Sequence, residues 1–177
     1  MRKLTKLYLF LGVVVGAGLT LPPANAQEYE PWTGAIVGAN IHLGNNDTLK
    51  SIRRLINEGK TSDAVRESQK FINRLEANSR SGRTSSYEYD AYNALCIALT
   101  SNKQYDEAKS ACNSAIELAP ARWQAINSRG TLNYKTGKFT EALADYRNAL
   151  EKAPDVERVR RIIKHNVEIS LARVSEN

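Results

Sequence analysis

Residues 89–122 read YDAYNALCIALTSNKQYDEAKSACNSAIELAPAR, and residues 123–156 read WQAINSRGTLNYKTGKFTEALADYRNALEKAPDV. Laid one under the other without a gap, the two segments agree at a period of 34 residues. Pro120 falls over Pro154, Glu117 over Glu151, Ala115 over Ala149, Ala108 over Ala142, Glu107 over Glu141 and Tyr105 over Phe139. Size and polarity match together, which marks a repeat rather than a shared composition. A unit of this length holds two helices of about 12 to 15 residues and two tight turns, at about 1.5 Å rise per residue. The prolines end the second helix of each unit. Ala108 and Ala115, like Ala142 and Ala149, lie seven residues apart on one helix face. Side chains that small let the paired helices approach closely, while Tyr105 and Phe139 wedge the start of each second helix. Neither unit can bury its apolar face alone, so neighbours must stack.

The residues that carry this period resemble the tetratricopeptide repeat family, whose pattern is Trp-x2-Leu-Gly-x2-Tyr, then Ala-x3-Phe, then Pro. The first copy sets Tyr92, Leu95, Cys96, Leu99, Ala108, Cys112 and Pro120 against it; the second sets Ile126, Arg129, Gly130, Asn133, Ala142, Tyr146 and Pro154. Arg129 departs from the usual Leu, and Asn133 from the aromatic, with Tyr134 one residue late. The resemblance implies an all-α fold: a short right-handed superhelical solenoid of helix-turn-helix pairs. It also implies a concave groove, lined by the first helix of each pair, that holds a peptide or protein surface. On that basis the groove residues are Asp90, Asn93, Ile97, Gln124, Asn127, Thr131 and Tyr134. The family pattern further sets Cys96 and Cys112 face to face inside the first hairpin. Outside the cytoplasm neighbouring thiols oxidise, and the open alternatives are a disulfide or two small buried cysteines that never meet.

Upstream, Gly59-Lys60-Thr61-Ser62-Asp63-Ala64 echoes Gly137-Lys138-Phe139-Thr140-Glu141-Ala142. It lies between two amphipathic stretches, marked by Leu49, Ile52, Leu55 and Ile56 and by Val65, Phe71, Ile72 and Leu75. A degenerate repeat is therefore expected over about 45–78, with Ser51 in the Leu slot, Phe71 in a small slot and no closing Pro. An insertion, the loop 79–88, separates it from the intact copies; a capping box at Ser85 and Glu88 and protease sensitivity are expected there. Downstream, Asp155 is expected to cap a last helix over 155–174, with Val156, Val159, Ile163, Val167, Leu171 and Val174 facing inward. Terminal repeats need a polar outer face, and Arg160, Arg161, Lys164 and Glu168 supply one.

The ends of the chain bear on its compartment. Arg2, Lys3 and Lys6 precede an apolar and small-residue run, Leu7 to Leu19, followed by Pro22, Pro23 and Ala24-Asn25-Ala26. That order is expected of a secretory signal peptide over 1–26, cleaved between Ala26 and Gln27. Its removal takes away three basic residues and no acidic ones, leaving 22 Lys and Arg against 19 Asp and Glu, a net charge near +3. Nucleic acid is a poor partner for so even a balance. The following segment, 27–44, reads as a linker or arm in which Gly34, Gly38 and Gly44 weaken any helix and Trp32 is expected to be buried. No later segment is apolar enough to span a membrane, so a mature chain without a stable membrane anchor, most simply periplasmic, is expected.

Nothing in the sequence names a catalyst. No serine elbow, phosphate loop or His-Glu metal motif is present, and His42 and His165 with the two cysteines match no zinc spacing. No metal site and no cofactor are therefore expected. A non-enzymatic adaptor of the bacterial cell envelope, binding another protein or peptide, is the leading expectation. Alternatives are a recruiting subunit of an envelope enzyme, an enzyme with an unrecognised site, and a self-associating structural repeat.

Overall fold

The computed structural model describes residues 46–80 and 86–176. The signal segment with Ala26 and Gln27, the arm with Trp32, and His42 all lie outside the described residues. Among those described, seven helices and no strands follow one another: α1 (Asp47–Asn57), α2 (Thr61–Arg80), α3 (Glu88–Ser101), α4 (Tyr105–Leu118), α5 (Trp123–Lys135), α6 (Phe139–Lys152) and α7 (Glu157–Ser175). They form three hairpins, α1–α2, α3–α4 and α5–α6, with α7 packed on α6. Each hairpin buries its inner face against the next, giving an all-α solenoid.

The turn inside each hairpin is the same device three times. Gly59, Lys103 and Gly137 adopt φ of 72°, 62° and 76°, the left-handed region that ends a helix. The next residue then donates its N–H back across five residues: Lys60 to the Leu55 carbonyl at 2.9 Å, Gln104 to Leu99 at 3.0 Å and Lys138 to Asn133 at 2.8 Å. Two of the three positions are glycine because a Cβ is disfavoured at positive φ; Lys103 takes the conformation without that relief. Alanines follow in register: Ala64, Ala108 and Ala142 are each fully buried on the second helix.

In the hairpin of α3 and α4 the disulfide Cys96–Cys112 joins the helices, with Cα atoms 4.9 Å apart. In the next hairpin these positions hold Gly130 and Tyr146. A Cβ on Gly130 would stand 2.7 and 2.8 Å from the Tyr146 ring, so glycine is required for α5 to pass over it. Tyr146 is fully buried, and its hydroxyl donates to Thr131 Oγ1 at 3.1 Å.

Four local expectations are corrected. Ser85 of the expected capping box lies outside the described residues; α3 starts at Glu88, with Tyr87 at its cap and no side-chain capping bond from it, so Glu88 is the first helical residue and not the third of a capping box. α7 starts at Glu157 behind Val156, without a side-chain cap from Asp155. Its buried face is Ile162, Ile163, Asn166, Ile169 and Ser170, while Val156 and Leu171 are exposed. The helix is rotated from the purely apolar stripe because Asn166 turns inward to donate to Asn127 Oδ1 at 3.1 Å. The insertion is partly helical too, since α2 continues to Arg80.

Candidate functional site

The first helices of successive hairpins stand side by side and are tied by a row of polar side chains. On α3, Asn93 Oδ1 accepts from Ser128 Oγ of α5 at 2.9 Å. On α5, Asn127 Oδ1 accepts from Asn166 of α7. Asn93 and Asn127 occupy the same repeat position and are 2% and 1% exposed. A buried amide must find partners or lose the free energy of its hydration; here each amide oxygen finds one on the next first helix. Thr131 bonds the Asn127 carbonyl at 3.2 Å and accepts from Tyr146. Among the described side chains Ser170 Oγ is buried without a partner.

At the start of the row, Arg122 stacks 3.7 Å over the Tyr89 ring and pairs with Asp90 at 2.8 Å. Tyr89 in turn accepts from the Ala125 N–H at 2.9 Å and donates to Gln124 Oε1 at 3.4 Å. Burial first, against that N–H and the Arg122 charge, pushes the Tyr89 hydroxyl up to about 12. At the far end Tyr134 packs edge-on against Phe139, ring centroids 5.2 Å apart. These rings share a cleft of about 340 Å³ with Tyr105, Lys135 and Arg173, and the Arg173 guanidinium lies 4.8 Å from the Phe139 centroid.

Of the seven residues placed on the groove by resemblance, Asp90, Asn93, Ile97, Asn127 and Thr131 are buried. Gln124 and Tyr134 are half-exposed, at the two ends of α5. All seven sit on α3 or α5, and the buried polar ones form the cross-helix bonds just described. The two cysteines meet in the disulfide. Among the described residues no group of three or more His, Cys, Asp or Glu is placed to hold a metal ion. None of the described helices is long and apolar enough to cross a membrane.

Sequence reasoning missed one polar cluster outright. Arg129, the departure from Leu, forms a two-pronged ion pair with Asp145 of α6, at 2.7 and 3.0 Å, and donates to Asn113 of α4 at 3.0 Å. Asn133, the departure from the aromatic, donates to the same carboxylate at 2.9 Å. The bond to Asp145 raises the Arg129 pKa against the effect of burial. The signal was present in the sequence as two coincident departures one helical turn apart, which share one acceptor.

A sequence model described as tetratricopeptide repeat matches residues 95–165. Among solved structures, the crystal structure of the P58(IPK) TPR domain superposes with a TM-score of 0.57 at 18% identity, over 74% of this chain and 34% of that one. The NMR structure of the first TPR domain of the human RPAP3 protein gives 0.55 at 18%, over 73% of this chain and 94% of that one. The chain thus spans about a third of the length of the first and nearly all of the second. At this identity the likeness is one of fold. With the repeat matched over residues 95–165, the three like turns and the stacked hairpins, the described residues form an all-α tetratricopeptide repeat solenoid.

Proposed function

We propose that the chain is a non-catalytic protein-interaction module of the bacterial cell envelope, exported by its N-terminal segment, cleaved after Ala26 and periplasmic without a stable membrane anchor. It binds a peptide or protein surface along the face of α3, α5 and α7. The observation that supports this most is the row joining the first helices, whose ends, Gln124 and Tyr134, stay accessible while its middle is internally satisfied. Gln124 offers an amide to an extended backbone, and Tyr134 with Phe139 offers an aromatic wall. The buried Asn93 and Asn127 set the spacing of the wall, so their loss would weaken binding through geometry. Both the envelope setting and the use of this face rest on the sequence reading and the family.

Photo-crosslinking in cells from position 135, beside Tyr134 on the same cleft, followed by mass spectrometry, tests the reading. One stoichiometric partner is expected, lost with Gln124→Ala/Tyr134→Ala while the variant keeps the parent's helical circular dichroism. Recovery of the same partner by the double variant would refute this face. N-terminal sequencing of the protein from the periplasmic fraction should begin at Gln27.

A further inference from the structure

A second cleft lies away from the α5 row, where α2 overruns its repeat. Aligning Gly59 with Lys103 sets Arg74 over Leu118, the last residue of α4, yet α2 continues six residues further to Arg80. That overrun is about 9 Å of extra helix. Together with α3 and the end of α4 it encloses a cleft of about 600 Å³. Such a volume is in the range of about 300 to 1,000 Å³ that holds a specific ligand.

The floor is apolar: Ile72 and Leu75 of α2, Ala91 of α3 and Leu118 of α4. Leu118 is 48% exposed, whereas the matching position of the next repeat is Lys152. An exposed Leu where the sister repeat keeps a solvated charge is an apolar contact held open. The rim carries three carboxylates, Glu76, Glu88 and Glu117, and one guanidinium, Arg80. On a chain whose formal net charge is positive, +6 in full and near +3 without residues 1–26, this is a patch of the opposite sign. Tyr92 reports the same field: its hydroxyl donates to Glu76 Oε1 at 2.9 Å, and burial, then Glu76 and Glu88, raise its pKa.

We propose that this cleft docks a basic amphipathic segment of a partner protein. One large apolar side chain enters between Leu75 and Leu118, and flanking Lys or Arg side chains meet Glu76, Glu88 and Glu117. The site is separate from the α5 row, so the chain has two docking surfaces and can bridge two partners.

The probe is a fluorescein-labelled amphipathic peptide of Leu and Lys, about four helical turns long, titrated against the full chain by anisotropy. Saturable binding is expected, with no binding by the peptide in which Glu replaces Lys. Glu117→Lys/Leu118→Ser should weaken binding about tenfold or more, and Leu118→Ser alone, with charge unchanged, about threefold. Both side chains are exposed, so the fold is retained. Glu151→Lys, the same charge change at the sister position, should alter affinity less than about twofold. Tyr134→Ala should leave it unchanged, which separates this cleft from the α5 row. Equal binding of the Glu peptide, equal weakening by Glu151→Lys, or loss with Tyr134→Ala would each overturn the proposal.

Discussion

In the hairpin of α3 and α4 the helices are joined through Cys96 and Cys112; in the hairpin of α5 and α6 the same positions carry Gly130 under the Tyr146 ring. A second set of positions differs as sharply. Leu95, Leu99 and Ala111 are buried and apolar, while their counterparts Arg129, Asn133 and Asp145 form a hydrogen-bonded ion cluster. One backbone therefore tolerates a covalent link or a ring, and an oily or a charged filling. What must be conserved between the hairpins is the turn, the buried alanine after it and the separation of the helices. The filling is free to vary so long as it varies as a set.

The largest effect on this comparison comes from opening the bridge. Cys96→Ala/Cys112→Ala should lose about 3 kcal/mol, the value for a closed loop of about 15 residues. Urea midpoints read this directly, and reductant should lower the midpoint of the parent chain but not of the variant. Next comes the charged filling. Asp145→Ala leaves Arg129 and Asn133 without their shared acceptor and should cost about 2 kcal/mol. The 30% exposure of Arg129 keeps this below the roughly 3 to 5 kcal/mol of a fully buried pair. Importing the other hairpin's solution, Arg129→Leu/Asn133→Leu/Asp145→Ala, should return stability to within about 1 kcal/mol of the parent. A triple variant as unstable as Asp145→Ala would show that the fillings are not interchangeable. The smallest effect is at the turns: Gly137→Ala should destabilise by about 1 kcal/mol and Lys103→Gly should stabilise by about as much, since only φ is at issue. No atom lies within 4 Å of a Cβ built at Gly137, so packing does not confuse that pair.

The hairpins are legible in the sequence because their turns and close contacts use few residue types. Gly59 and Gly137 mark positive φ, and buried alanines mark where helices touch. Position in the repeat, implied by the family pattern, brought Cys96 to Cys112. The polar residues were harder. Asn93, Asn127 and Asn166 look like solvated side chains when each helix is read alone, since their partners sit 35 or more residues away. The same blindness hid the acceptor of Arg129 and Asn133 on another helix, and turned the expected face of α7 toward Val156 and Leu171. The α2 cleft was invisible for a different reason. Its shape depends on how far a helix runs into an insertion, and Ser79 and Arg80 carry no strong stop signal.

The position of the disulfide along the chain has a kinetic consequence. Chains of stacked hairpins touch mainly their neighbours, so they fray from the ends inward. A covalent tie in the middle hairpin stops both fronts at the same place. Slowest amide exchange is then expected in α3 and α4, with α1 and α7 exchanging first, and a frayed molecule would retain a closed central hairpin on which either end can zip back.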